Sequence, residues 1–223
     1  MSYSKDMDRP YTVVVEGNIG SGKSTFLNHF QENPSISVLS EPVELWRNCG
    51  GTNLFALLYE DPKRWSFTFQ SYVLLTMIRQ HSLQTNTSIK VMERSIYSVR
   101  YCFVDNMQSE GIMPSLSVEV LDEYFNWVKN KPEAKVDLVI YLRTSPDVVY
   151  ERMLQRNRDE EKTVSLEYLT KLHDVHEKWL YYKSAYSCPA PILIVDANLD
   201  KTSIVDEYIK SESVIMNKLS ISS

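Results

Sequence analysis

Thr12-Val-Val-Val-Glu16 runs without a break into Gly17-Asn18-Ile19-Gly20-Ser21-Gly22-Lys23-Ser24-Thr25. From Gly17 to Ser24 the stretch fits Gly-x-x-x-x-Gly-Lys-Ser/Thr, a pattern expected by chance in only about one chain in a hundred of this length. Its flanks reduce that chance further. A β-branched run leads in, and Thr25-Phe-Leu-Asn-His-Phe30 leads out with the composition of a helix. Glycines let successive backbone N–H groups turn inward as an anion nest at a helix N-terminus. Lys23 is placed to reach the terminal phosphates, and the Ser24 hydroxyl to take a position on Mg²⁺. Gly17 to Thr25 are therefore expected to hold a nucleoside triphosphate.

Outward from this loop, short β-branched runs alternate with longer helical patterns, which predicts a parallel sheet wrapped by helices. The strand candidates are Thr12–Glu16, Ile36–Leu39, Ile89–Glu93, Leu138–Leu142 and Ile192–Val195. The first, fourth and fifth are nearly all apolar, as strands covered on both faces are. Helices are predicted after Gly22, from Pro62 to Gln80, through Tyr97 to Met107, from Leu116 to Lys129 and from Ser145-Pro146 onward. Another carries Leu166, Leu169, Leu172 and His176 on one face. A last one begins near Ser203 and gives way to a tail at about residue 212; residues 1–10 form the other tail. The 223 residues are 43% hydrophobic and 24% charged, which suits a single α/β domain and excludes a disordered or fibrous chain. The net charge of −5 offers no basic surplus for a nucleic-acid partner. Three scattered cysteines argue for a reducing compartment, and no apolar run is long enough to span a membrane. The N-terminus has neither a signal-peptide core nor the look of a transit peptide, so a cytoplasmic or nuclear location is expected unless an upstream segment was removed.

Ligands of open parallel sheets sit beyond the carboxyl ends of the strands. Glu41 follows the second strand, and Glu93-Arg94 close the third. A carboxylate facing the transferable phosphate suits a neutral hydroxyl acceptor whose proton it takes. Arg94 would keep Glu41 ionised and stabilise charge on the moving phosphoryl group. Glu93 can hold Mg²⁺ directly or through water. The GTPase base-reading motif has no counterpart, since Asn130-Lys131-Pro132-Glu133 ends in Glu and precedes its strand. Arg152, Arg156 and Arg158, with Asp159-Glu160-Glu161 after them, read as an Arg-rich lid over about 156–164 that clamps phosphates on closure. Gln70 is a polar side chain within the apolar helix Phe67-Thr-Phe-Gln-Ser-Tyr-Val-Leu-Leu-Thr-Met-Ile78, and a buried amide needs a partner. His173 and His176 have metal-binding spacing but no evident third ligand, and read as a packed helix face.

EGNIGSGKST (16–25), EPVELWRN (41–48), YEDPKRW (59–65), FQSY (69–72), MERSIYSVRYCF (92–103) and YLRTSPDVVYERMLQRNRDEE (141–161) occur here in one order. They resemble the deoxyribonucleoside kinases, in particular the insect multisubstrate and mitochondrial thymidine kinase branch. The resemblance runs from about Tyr11 to Asp196. It implies a P-loop kinase with three layers and a five-stranded parallel sheet, generally a homodimer. Such an enzyme transfers the γ-phosphate of ATP, with Mg²⁺, to the 5′-hydroxyl of a deoxynucleoside in nucleotide salvage. Glu41 would then be the base at the 5′-hydroxyl beside Arg94, with Lys23 on the phosphates and Glu93 organising Mg²⁺ with Ser24; Glu93 is the alternative proton acceptor. Tyr59 and Glu161 would hold the 3′-hydroxyl. Gln70 would pair with the base, Phe103 would stack on it, and Trp46, Phe69, Val73 and Met77 would line the pocket. The adenine of ATP would lie near Leu199, Asp200 and Lys201.

One position departs from the family. Where pyrimidine-preferring members carry Ala and deoxycytidine or purine-handling members carry Asp, this chain has Val99. Without that carboxylate, pyrimidines are the expected substrates, and the extra methyl groups would press on the 5-methyl of thymine. A thymidylate-type monophosphate kinase is the alternative enzyme, but it needs an acceptor-side Arg where Glu41 stands. A non-catalytic nucleotide-binding subunit is the other alternative, against which the intact Lys23, Glu41, Glu93, Arg94 and lid arginines speak.

Overall fold

The strand that feeds the glycine loop is the middle one. In the computed structural model, which describes residues 9–200 and 202–222, β1 (Tyr11–Glu16) is the third of five parallel strands. The others are β2 (Ile36–Leu39), β3 (Ile89–Glu93), β4 (Leu138–Arg143) and β5 (Ile192–Asp196), in the order β2-β3-β1-β4-β5. Tyr11 lies opposite Ile89, Val13 opposite Leu138, and Val139 opposite Ile192. Strand side chains alternate between faces. Val13 and Val15 therefore pack on one side of the sheet with Phe26, Leu27 and Phe30, and Val14 packs on the other with Met77, Met92 and Tyr141. All three valines are fully buried, each worth about 1.5–3 kcal/mol over exposure.

The helices are α1 (Lys23–Asn28), α2 (Val43–Arg47), α3 (Leu54–Glu60), α4 (Pro62–Ser82), α5 (Ile96–Ser98), α6 (Asp105–Ser109), α7 (Ser115–Lys129), α8 (Pro146–Arg156), α9 (Leu166–His176) and α10 (Ile204–Ser222). The single helix expected through Tyr97–Met107 is α5 and α6 joined by a π-helical stretch, Val99–Val104. A second π stretch, Glu177–Tyr181, extends α9. The short helices α2 and α3 were not expected. Asn53 starts α3 by accepting the Ala56 N–H at its side chain, and Asp61 does the same for Arg64 at the start of α4.

Two expectations are corrected and a third holds. β5 is an edge strand paired only with β4, and Ile194 is 42% exposed, so its apolar run does not mean cover on both faces. α10 continues past residue 212, because Ile215 is fully buried against the face that holds Phe26 and Phe30. His176 is a core residue as expected, with Nδ1 2.6 Å from the Leu172 carbonyl and its ring stacked on Tyr141. A small cluster of Val149, Met153, Val164 and Leu169 joins α8 to α9, and Ile19 and Tyr59 pack against it.

Candidate active site

The phosphate loop has the backbone that its glycines permit. Gly22 caps α1 at φ 93°, and Gly20 sits at φ 79°, where a Cβ would stand 2.6 Å from the Val149 carbonyl oxygen. The loop is thereby held against the helix that leads to the lid. Asn18 ties it to α9 as well, donating from Nδ2 to the Leu169 carbonyl at 2.8 Å. Lys23 is buried and donates to the carbonyls of Asn18 (2.8 Å) and Gly17 (3.2 Å). Burial, then the nearby Arg94 guanidinium, lowers its pKa to about 7. An arriving phosphate would restore the ammonium charge.

Beyond the loop, Ser24 donates to both carboxylate oxygens of Glu93, at 3.1 and 3.2 Å. Mg²⁺ was expected between these two side chains, and they do converge. Among the described residues no group of three or more His, Cys, Asp or Glu side chains could hold a metal alone. One hydroxyl and one carboxylate suit a hard cation that takes its remaining oxygens from a nucleotide and water.

Arg94 is the pivot of the site. Its φ of 63° is left-handed, a conformation that costs about 1–3 kcal/mol outside glycine. Several contacts over-determine it. Its N–H donates to the Val15 carbonyl (2.9 Å) and its Nη1 to the Gly17 carbonyl (3.0 Å). Its Nε stands 2.8 Å from Glu41 Oε1, and its guanidinium lies 4.8 Å above the Phe103 ring. Ser95, next in the chain, donates to the fully buried Glu16 at 2.6 Å. Burial raises the pKa of Glu16 to about 7, against the pull of Ser95 and Arg94. Glu41 is pulled both ways. Arg94 does favour its ionised form, but burial outweighs this and raises its pKa, with Glu93 adding to the rise.

Glu41, Glu93, Arg94 and Lys23 all line one cleft of about 770 Å³, the open solvent at its mouth included. Its walls bring together all of the remaining expected substrate residues: Trp46, Tyr59, Phe69, Gln70, Val73, Met77, Val99, Phe103 and Glu161. Arg156 and Arg158 line it too. Trp46 is fixed by a 3.0 Å hydrogen bond from its Nε1 to Thr76, and Phe69 stacks on Phe55 with ring centres 5.5 Å apart. Gln70 is 2% exposed; its amide nitrogen has only Met107 sulfur at 3.7 Å, and its carbonyl oxygen has no partner among the described residues. A buried amide in that condition can pair with a ligand that brings its own donor and acceptor. At the lid, Glu161 takes Arg156 Nη2 on both oxygens at 2.7 Å and Arg158 Nη1 at 3.4 Å. The Tyr59 hydroxyl is held well above its ordinary pKa by burial and by Tyr168 and Glu161, so it stays a neutral donor.

Other expected residues lie elsewhere. Arg152 does not line the cleft; it donates to the carbonyls of Ala197 (2.8 Å) and Leu199 (3.1 Å). It thus braces the loop expected to receive adenine instead of reaching into the cleft. Asp200 in that loop accepts the N–H groups of Thr202 and Ser203, and Lys201 lies outside the described residues. Val43, Phe55, Leu58, Met107 and Tyr168 also line the cleft and were not anticipated. For Phe55 and Leu58 a signal existed in Asn53, a capping residue before Leu-Phe-Ala-Leu-Leu-Tyr. Tyr168 falls off the apolar stripe of its helix, so no local pattern marks it.

The chain is similar to known proteins over most of its length. The family model for deoxynucleoside kinase matches residues 13–220. Thymidine kinase 2, mitochondrial, of Homo sapiens is 43% identical over 194 residues, covering 87% of this chain and 73% of that protein. Deoxycytidine kinase of Rattus norvegicus is 34% identical over 229 aligned positions, covering 89% of this chain and 88% of that one.

Proposed function

Because the chain belongs to the deoxynucleoside kinase family and phosphorylates deoxyribonucleosides, we propose that it transfers the γ-phosphate of ATP to the 5′-hydroxyl of pyrimidine deoxynucleosides in nucleotide salvage. The observation that carries this reading is the make-up of the cleft. One pocket brings the Gln70 amide, whose carbonyl oxygen has no partner among the described residues, together with the Glu41–Arg94 pair and Lys23 of the phosphate loop. Glu41 takes the 5′-hydroxyl proton, and Arg94 and Lys23 hold the charge that spreads over the phosphoryl oxygens. Ser24 and Glu93 would hold Mg²⁺, which when bound would neutralise nucleotide phosphate charge. Tyr59 and Glu161 orient the sugar, Gln70 reads the base, and Phe103 covers it. A coupled ATP assay with thymidine, deoxycytidine, deoxyadenosine, deoxyguanosine and thymidylate tests this. Turnover should be fastest with the two pyrimidine nucleosides; turnover with thymidylate would point to a monophosphate kinase instead.

Val99 sets the balance between those two substrates. It is 3% exposed and lies on the π-helical stretch four residues before Phe103, so both side chains reach the cleft. Packing methyl groups against the 5-methyl of thymine costs about 1–3 kcal/mol, or roughly 10–200-fold in selectivity. Val99→Ala should therefore raise kcat/KM for thymidine relative to deoxycytidine, and Val99→Asp should shift preference away from thymidine. An unchanged ratio in the alanine variant would leave Val99 as helix packing.

We further propose a homodimer paired through α7, which presents Leu116, Tyr124 and Trp127 to solvent at 77%, 53% and 65% exposure. Such a run of large apolar side chains is characteristic of a covered face. A solution mass near 25.9 kDa would exclude the dimer. No helix among the described residues is long and apolar enough to cross a membrane. The free thiols Cys49, Cys102 and Cys188 suit a reducing compartment such as the cytoplasm.

A further inference from the structure

Two consecutive lid glutamates point in different directions. Glu161 is turned into the cleft, whereas Glu160 is turned onto the short helices that form the cleft wall. Arg47 grips Glu160 with two prongs, Nε to Oε1 at 2.8 Å and Nη2 to Oε2 at 3.1 Å, and Asn53 Nδ2 adds a contact to Oε1 at 3.3 Å. Glu44 holds the remaining arm of Arg47 at 2.7 Å. The Glu160 side chain is only 8% exposed, and the Arg47 hydrogen bonds hold its pKa down to about 2. Exposed ion pairs contribute little, but a shielded, two-pronged arginine–carboxylate pair fixes geometry as well as energy.

The partners matter as much as the bonds. Arg47 ends α2, whose Val43 and Trp46 form the cleft wall, and Asn53 caps α3, which carries Tyr59. Residues Asp159–Glu161 form one tight 3₁₀ turn. Successive side chains of such a turn project about 120° apart, so anchoring Glu160 fixes the direction of Glu161. Arg156 and Arg158 cannot give Glu161 a constant anchor if they engage phosphate during turnover. Arg47 and Asn53 do not line the cleft and can.

We propose that Glu160, clamped by Arg47 and Asn53, is a positioning residue for nucleoside binding: it locks the lid turn so that Glu161 meets the sugar 3′-hydroxyl beside Tyr59. This rests on the reading of Glu161 and Tyr59 as the 3′-hydroxyl site. The latch therefore acts on substrates that have a 3′-hydroxyl and leaves those without one nearly untouched.

The test compares thymidine with 3′-deoxythymidine for wild type, Glu160→Gln, Arg47→Ala and the double variant Arg47→Ala/Glu160→Gln. Each single change should lower kcat/KM for thymidine about 3–30-fold, chiefly through KM, and the double should be little worse than the worse single. For 3′-deoxythymidine the loss should stay within about twofold, the scale of a surface substitution. Equal losses on both nucleosides, or fully additive losses in the double variant, would overturn the latch and make the pair ordinary lid stability. A wild-type enzyme that uses the two nucleosides equally well would remove the 3′-hydroxyl premise itself, a different failure recognisable before any variant is made.

Discussion

Replacing Glu41 by Gln keeps nucleoside binding and lowers kcat by about 10²–10⁴, the range for a positioned acid–base group. The amide matches the carboxylate in size and still accepts a hydrogen bond from Arg94, 2.8 Å away, so the wall of the cleft is preserved. What it loses is the ability to take a proton. Burial raises the pKa of Glu41, which brings a carboxylate closer to neutrality and makes it a better base once ionised. The sign of the pH dependence follows. Activity needs the ionised form, so kcat/KM rises with pH through the Glu41 pKa, and that limb lies above the ordinary carboxylate range near 4.3. In the Gln variant this limb should disappear. If Glu41→Gln turns over at close to the wild-type rate while Glu93→Gln does not, the proton goes to Glu93.

The second large effect belongs to the lid. Arg158→Ala should lower kcat by about 10²-fold, the loss that follows removal of one well-aimed donor to transition-state charge, with a smaller change in nucleoside KM. Arg156→Ala should also lower kcat but raise KM more. Arg156 meets both oxygens of the buried Glu161 at 2.7 Å, whereas Arg158 touches one at 3.4 Å. Removing Arg156 leaves a buried carboxylate without its main partner, and its disturbance reaches the sugar. Steady-state kinetics on the two variants separate these roles. If kcat survives both substitutions, the stretch is a solvated helix end and no clamp.

How much of this was legible in the chain depended on how local each signal was. The phosphate loop was readable because strand, glycines, lysine and helix follow one another without a break between Thr12 and Phe30. Gln70 was readable because a lone amide interrupts an apolar helix. The edge position of β5 was not, since strand order depends on which strands pair, and an apolar run looks the same at an edge as at the centre. The helices α2 and α3, at five and seven residues, are too short for an apolar stripe to repeat over several turns. Tyr59, Phe103 and Glu161 converge on one cleft from three distant parts of the chain; no local pattern marks them, and only the family resemblance brought them together. The left-handed backbone of Arg94 and the anchoring of Arg152 to the Ala197 and Leu199 carbonyls depend on the assembled fold. Arg94 does favour the ionised form of Glu41, as charge alone suggests, but the opposing pull of burial, which raises its pKa, depends on the assembled fold.

The central place of β1 also governs when the enzyme can come into being. Its neighbours β3 and β4 lie about 80 and about 125 residues further along the chain. Arg9 and Thr12 are held by Asp137, just ahead of β4. At about 5–20 residues per second on a ribosome, the second neighbour emerges roughly 6–25 s after the first strand. Pairings so distant in sequence also close slowly once both partners are present. The phosphate loop is thus synthesised well before the strands that flank it and is among the last segments to acquire its surroundings. A nascent chain halted before residue 138 would carry the nucleotide-binding motif intact and have no finished sheet on which to display it.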